Sequence, residues 1–106
     1  MTPDPLDGKT VVILGFARQG QALARWLPTV GAKVIVSDKR DFGDLADALL
    51  DFLTSDIQFA LGGHPLELLD EADLLCLSGG VSPTLPICVA AAERGIPLTN
   101  DALLFM

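Results

Sequence analysis

Short β-branched runs alternating with helical patterns, from one end to the other, constrain this chain more than any other feature. The run Lys9-Thr10-Val11-Val12-Ile13-Leu14, bounded by Asp7-Gly8 and Gly15, predicts a first strand. Gln19 to Val30 then carries Ala22, Leu23, Trp26, Leu27 and Val30 at helical spacing. Gly31 stops that helix, and Pro28 removes a backbone donor near its end. Ala32 to Ser37 predicts a second strand closing at Asp38, and Asp44 to Leu53 a helix. Ile57 to Leu61 predicts a third strand broken by Gly62-Gly63, followed by a short helix from Pro65 to Ala72. Asp73 to Leu77 predicts a fourth strand, Leu85 to Arg94 a helix stopped by Gly95, and Ile96 to Thr99 a fifth strand. Asp101 to Met106 has the pattern of an opening helix.

Strands that are apolar on both faces and alternate with helices imply a parallel sheet covered on each side. The expected fold is α/β, a Rossmann-like doubly wound parallel sheet of about five strands. The chain has 106 residues, half of them apolar, which suits one domain with one core. No linker, repeat or low-complexity segment interrupts it. The abrupt stop after Met106 suggests an excised domain, with a loose C-terminal helix as the alternative.

Composition excludes several function classes. Seven Lys and Arg against fourteen Asp and Glu give a net charge of −7, which argues against nucleic acid as a partner. One phosphorylated small molecule, needing only local backbone donors and a cation, remains compatible. Met1-Thr2-Pro3-Asp4-Pro5 lacks the basic start and apolar run of a signal peptide, and the apolar runs are strand-sized, so no membrane partner is expected. Cys76 and Cys88 lie among aliphatic neighbours without a second Cys or His at ligand spacing. They read as buried thiols in a reducing, cytoplasmic setting, with no metal.

Three features fall where strands end, the edge at which such sheets collect ligands. Gly15-Phe16-Ala17-Arg18-Gln19-Gly20 joins the first strand to its helix: Gly15 permits the tight turn, and Gly20 lets helix and sheet pack closely. The first helical N–H groups then face an anion, although Ala17 replaces the middle glycine of the dinucleotide pattern. Asp38, about twenty residues on, can accept from a ribose hydroxyl or a base N–H. Lys39 and Arg40 follow it, either as phosphate and base contacts or as a solvated pair. Ser78-Gly79-Gly80 ends the fourth strand, either as a further set of phosphate donors or as a plain loop.

Other candidates read as structure. His64, the one histidine, precedes Pro65 and suits a helix cap or a solvated position. Trp26, Phe52 and Phe59 sit at core-facing spacings, and Asp41, Asp44, Asp47, Asp51 and Asp56 suit a solvated helix face. No GxxxxGK[ST] loop occurs, so ATP has no visible site in this chain.

Taken in order and spacing, these segments resemble the N-terminal domain of the Mur ligases, and within them the D-glutamate-adding branch. The resemblance covers nearly the whole chain. It rests on Gly8 to Gly15 leading into Ala17-Arg18-Gln19-Gly20, on Ser37-Asp38-Lys39-Arg40, on Ser78-Gly79-Gly80-Val81-Ser82, and on Gly95-Ile96-Pro97-Leu98 running into Asp101 to Phe105. It implies that residues 1–106 bind the UDP part of UDP-N-acetylmuramoyl-L-alanine. Arg18 and Gln19 would lie along the uridine, Asp38 would read the uracil edge, and Lys39 and Arg40 would flank the nucleotide. Ser78-Gly79-Gly80 would meet the diphosphate. ATP and Mg²⁺, and the peptide-bond chemistry, would belong to later ligase domains in cis, absent from this chain, leaving it without a catalytic residue or cofactor of its own. Gln19 and Gly79 depart from the serine or proline common at those positions. The residues also leave open an NAD(P)-binding domain of an oxidoreductase, with Asp38 on the ribose diol or Lys39 and Arg40 on a 2′-phosphate, and a ligand-sensing domain of a transporter or channel.

Overall fold

In the computed structural model, residues 6–52, 55–78 and 81–100 are described. Five parallel strands, β1 Thr10–Leu14, β2 Lys33–Asp38, β3 Gln58–Leu61, β4 Leu74–Leu77 and β5 Leu98–Asn100, form one sheet in the order β3-β2-β1-β4-β5. The α-helices are α1 Arg18–Trp26, α2 Phe42–Leu49 and α3 Pro86–Glu93, with 3₁₀ turns at Leu27–Val30, Leu50–Phe52 and Leu66–Asp70. The Rossmann-like doubly wound expectation is met. The helix expected over Asp101 to Met106 lies outside the described residues.

The two-residue period of a strand splits the core. Val11 and Ile13 of β1 and Val34 and Val36 of β2 pack with Leu23, Ala24 and Leu27 beside α1 and with Leu45 and Leu49 of α2. Val12, Leu14, Ile35 and Leu75 face the other way, onto Leu69 and onto Ile87, Cys88 and Ala91 of α3. Cys76 and Cys88 are therefore buried on opposite sides of the sheet, where burial pushes the Cys88 thiol pKa up.

Element boundaries differ from expectation where a local bond intervenes. Pro28 enters a 3₁₀ turn, so α1 ends at Trp26, and Gly31, at φ 88°, accepts the left-handed stop. α2 starts two residues early because the Asp41 carboxylate accepts from the Asp44 amide, 3.1 Å away. β5 starts two residues late because the Ile96 amide is already bonded to the Ala91 carbonyl at the end of α3, and Pro97 has no N–H to give. The Pro65–Ala72 helix is reduced to a 3₁₀ turn over Leu66–Asp70.

Gly43 sits exposed in the first turn of α2 with an ordinary φ, and an added Cβ would meet only Asp41 Oδ1 at 3.4 Å. Gly43→Ala is expected to raise stability by about 0.5 kcal/mol through helix propensity. A lowered urea midpoint in the variant would contradict this.

Candidate functional site

Register brings the strand ends into line. Leu14 pairs with Ser37 on β2 and with Leu77 on β4, so Gly15 stands level with Asp38 and Ser78. Asp38 pairs with Leu61, which puts Gly62 and Gly63 on its other flank. The strand order reverses between β1 and β4, so Gly15 and Ser78 straddle the switch point where ligands enter such sheets.

Gly15 adopts φ 96°, and its amide donates to the Ser37 carbonyl at 2.7 Å. A Cβ there would meet the Ser78 carbonyl and Val81 Cγ2, each at 3.0 Å. Phe16 turns inward to 1% exposure and packs edge-on against Phe52 and Phe59, with centroids 5.2 and 5.4 Å away. Sequence reasoning gave Phe16 no role, yet it anchors the turn in the core. Ala17 stands at the N-cap of α1 without a side-chain cap, and no acidic residue occupies the first turn. The first amides of α1, from Arg18, Gln19 and Gly20, thus have no intrahelical acceptor. Arg18 and Gln19 are exposed, whereas Gly20 is buried against the Gly15 carbonyl.

Facing that helix start, Ser78 is 2% exposed and its Oγ is the one buried side-chain polar atom without a hydrogen-bond partner among the described residues. An added Cβ on Gly20 would stand 3.0 Å from it. A buried hydroxyl with no partner costs free energy, and such an atom beside three open amides fits a phosphate oxygen. Gly79 and Gly80 lie outside the described residues.

Asp38 is placed at the edge but is occupied. Its Oδ2 accepts from the Phe16 amide and from Arg40 Nη2, each at 2.8 Å. Its Oδ1 accepts from the Arg40 amide at 2.8 Å and Arg40 Nε at 3.0 Å. Burial pushes this carboxyl up, but the Arg40 side-chain and backbone bonds and the Phe16 amide outweigh it and hold the pKa at about 2. The Arg40 pKa is raised in turn by its bond to Asp38. A carboxylate offers about four lone-pair positions, so Asp38 reaches a ligand only if Arg40 moves away. Lys39 is exposed beside the pair.

His64 belongs to this edge, against expectation. Its Nδ1 lies 2.7 Å from the Oγ of Ser37, which is fully buried and 2.9 Å from the Gly63 carbonyl. The amides of Gly62 and Gly63 donate to the carbonyls of Arg40 and Asp38. Nothing in the local sequence signals these bonds, because Ser37 and His64 meet only through the pairing of β2 with β3.

A hollow of about 720 Å³ opens at the opposite end of the sheet among residues such as Lys33, Asp56 and Glu71. It lies at the amino ends of the strands, away from the switch point. Among the described residues, no three His, Cys, Asp or Glu side chains group closely enough to hold a metal ion, and no helix is long and apolar enough to cross a membrane.

This geometry defines a Rossmann-like domain with an anion-ready helix start at its switch point. Similarity to solved structures supports the fold. The C-terminal domain of a Pyrococcus furiosus hydrogenase superposes with a TM-score of 0.65 at 18% identity, covering 94% of this chain and 96% of that one. Shikimate dehydrogenase from Aquifex aeolicus gives 0.60 at 16% identity, covering 91% and 43%. Residues 9–100 match the family described as Mur ligase MurD-like, N-terminal domain, and the chain belongs to that family. Among curated proteins it is 39% identical over 96 residues to UDP-N-acetylmuramoylalanine–D-glutamate ligase of Enterococcus faecalis, covering 90% of this chain and 21% of that protein. It is 41% identical over 98 residues to the enzyme of the same name from Streptococcus mutans, covering 90% and 21%. The chain thus spans about a fifth of the length of these relatives.

Proposed function

We propose that residues 1–106 form the UDP-substrate-binding domain of a D-glutamate-adding ligase, taking the nucleotide end of UDP-N-acetylmuramoyl-L-alanine. The observation that carries this reading is the unpartnered, buried Ser78 Oγ facing the uncapped start of α1 across Gly15. A diphosphate satisfies both at once: its oxygens accept from the Arg18, Gln19 and Gly20 amides and from the Ser78 hydroxyl. Gly79 and Gly80, next in the sequence, would add their amides to the donor set. Ala17 leaves room for the phosphates, Arg18 and Gln19 run along the uridine, and Lys39 and Arg40 flank it.

In this reading Asp38 works first as the anchor of the turn, and it meets the uracil edge once Arg40 releases it. ATP and Mg²⁺ act in later domains in cis, within a cytoplasmic enzyme of cell-wall synthesis. This chain binds substrate without performing the chemistry. The residues here suit ATP and Mg²⁺ poorly, lacking both a phosphate loop and, among those described, a metal-ligand cluster.

Titration of the ¹⁵N-labelled chain with UDP is expected to shift the amides of Gly20, Asp38 and Ser78, with NAD⁺ as the comparison. No shift at millimolar UDP, or equal shifts with both, would count against the proposal. Ser78→Ala sharpens the test, because removing an unsatisfied buried hydroxyl leaves stability unchanged or raises it slightly. The same change is expected to weaken UDP binding about tenfold, the worth of one hydrogen bond to a charged group at the low end. Unaltered affinity would remove Ser78 from the site.

A further inference from the structure

Ser37 has a single hydroxyl proton, and it has two neighbours, the Gly63 carbonyl and His64 Nδ1. A carbonyl can only accept, so a hydroxyl that donates to Gly63 must accept from His64. That arrangement fixes the neutral imidazole as the Nδ1–H tautomer and leaves a lone pair on Nε2. His64 is half-buried, and Nε2 has no hydrogen-bond partner among the described residues. The one buried side-chain N or O atom without a partner among the described residues is Ser78 Oγ, so an Nε2 with no partner among them is open to solvent. The residue beside it, Gly63, bridges to Asp38, the strand end that the nucleotide reading places along the nucleoside.

At that strand end the Asp38 carboxylate is filled by Arg40 and Phe16 and is no free acceptor while Arg40 stays in place. A nucleoside presents donors there, its ribose hydroxyls and its base imide N–H. We infer that His64 is a nucleoside-contacting residue whose Nε2, oriented through Nδ1 by Ser37, accepts a hydrogen bond from one of these donors. The inference rests on the proposed nucleotide function and adds a specificity-determining residue to it. Protonation turns Nε2 from acceptor into donor, so the contact is lost in acid. Burial holds the His64 pKa below its ordinary value, with Asp38 opposing this shift and Lys39 adding to it. The contact therefore persists through neutral pH.

Two substitutions separate the ring nitrogens. Asparagine places an amide N–H near the Nδ1 position and has nothing at Nε2, whereas glutamine reaches the Nε2 position. His64→Asn is expected to keep the thermal midpoint within a few degrees and to weaken UDP binding about fivefold, with His64→Gln recovering part of the loss. The lost bond is identified with 2′-deoxy-UDP, 3′-deoxy-UDP and N3-methyl-UDP. One of them binds the unaltered chain about fivefold more weakly than UDP does, and His64→Asn costs that analogue nothing further. In ¹⁵N spectra of the imidazole, UDP moves Nε2 and leaves Nδ1 in place, and in acid the affinity of the unaltered chain falls further than that of His64→Asn, which shares only the loss due to protonation of the ligand's terminal phosphate. Equal UDP affinity of His64→Asn and the unaltered chain, or an Nε2–H tautomer in the free chain, would overturn the inference and leave the nucleotide function standing. Failure of the unaltered, folded chain to respond to millimolar UDP would overturn both.

Discussion

Gly20→Ala is expected to be severely damaging for a change of one methyl group. Its Cβ would lie 2.2 Å from the Gly15 carbonyl oxygen and 3.0 Å from Ser78 Oγ, and the first of these is backbone that cannot rotate away. Gly15 is itself held by its amide bond to Ser37 and by the anchoring of Phe16, so α1 must lift off the sheet instead. Overpacking of this kind costs about 3 kcal/mol. In a domain of this size that lowers the thermal midpoint by on the order of 10–20 °C. The lifted helix would also draw its open amides away from Ser78, so the proposed UDP binding is expected to be lost even below the new midpoint. Calorimetry on Gly20→Ala beside Gly43→Ala checks the argument, since the two changes are chemically identical and opposite in expected sign. A Gly20→Ala variant as stable as the parent would mean that the helix does not approach the turn this closely.

Asp38→Asn comes next. An amide keeps one acceptor but turns the other arm into a donor, and every group around Asp38 is also a donor. Whichever way the amide faces, an N–H meets another N–H, at the buried Phe16 amide or at Arg40. The expected loss is about 2–4 kcal/mol, less than for a fully buried ion pair because Arg40 can turn to solvent. The carboxyl pKa falls from 3.8 unfolded to about 2 folded. Between those values the unfolded chain holds more protons, so stability drops as pH falls through that window and is complete above it. The shift amounts to about 2 kcal/mol. Urea midpoints of the two proteins should therefore lie far apart near neutrality and converge towards pH 2. A constant gap across that range would show that the ionised carboxylate is not what holds the turn.

Much of this was legible in the chain itself, and the limit is physical. The alternation of β-branched runs with helical spacing located every described strand, and Gly15, Gly31 and Gly95 marked turns whose positive φ requires glycine. Those signals are local. The Asp41 cap was local as well, an acid three residues before Asp44, and an acidic helix face hid it. What escaped the sequence depends on register: Asp38 on the Phe16 amide, 22 residues away, and Ser37 on His64, 27 residues away. A one-residue slip of β3 would send His64 to another neighbour altogether. Asp38 was visible as a residue of the edge, but its pairing with Arg40 was not, because its neighbours give no sign of which donors would fill its lone pairs.

The Asp38–Arg40 pair also sets how ionic strength acts on this edge. By pairing internally, Arg40 gives up most of its charge as an attraction for an incoming anion, leaving Arg18 and Lys39 as the exposed cations beside the turn. Around them lies a chain of net charge −7, whose long-range field repels a diphosphate. On the proposed reading the ligand would be held by short N–H and O–H bonds, which salt screens little, whereas the repulsion acts over a Debye length of about 10 Å at 0.1 M. Moderate salt should therefore speed the arrival of a diphosphate at this domain, the reverse of what a basic phosphate-binding surface would show.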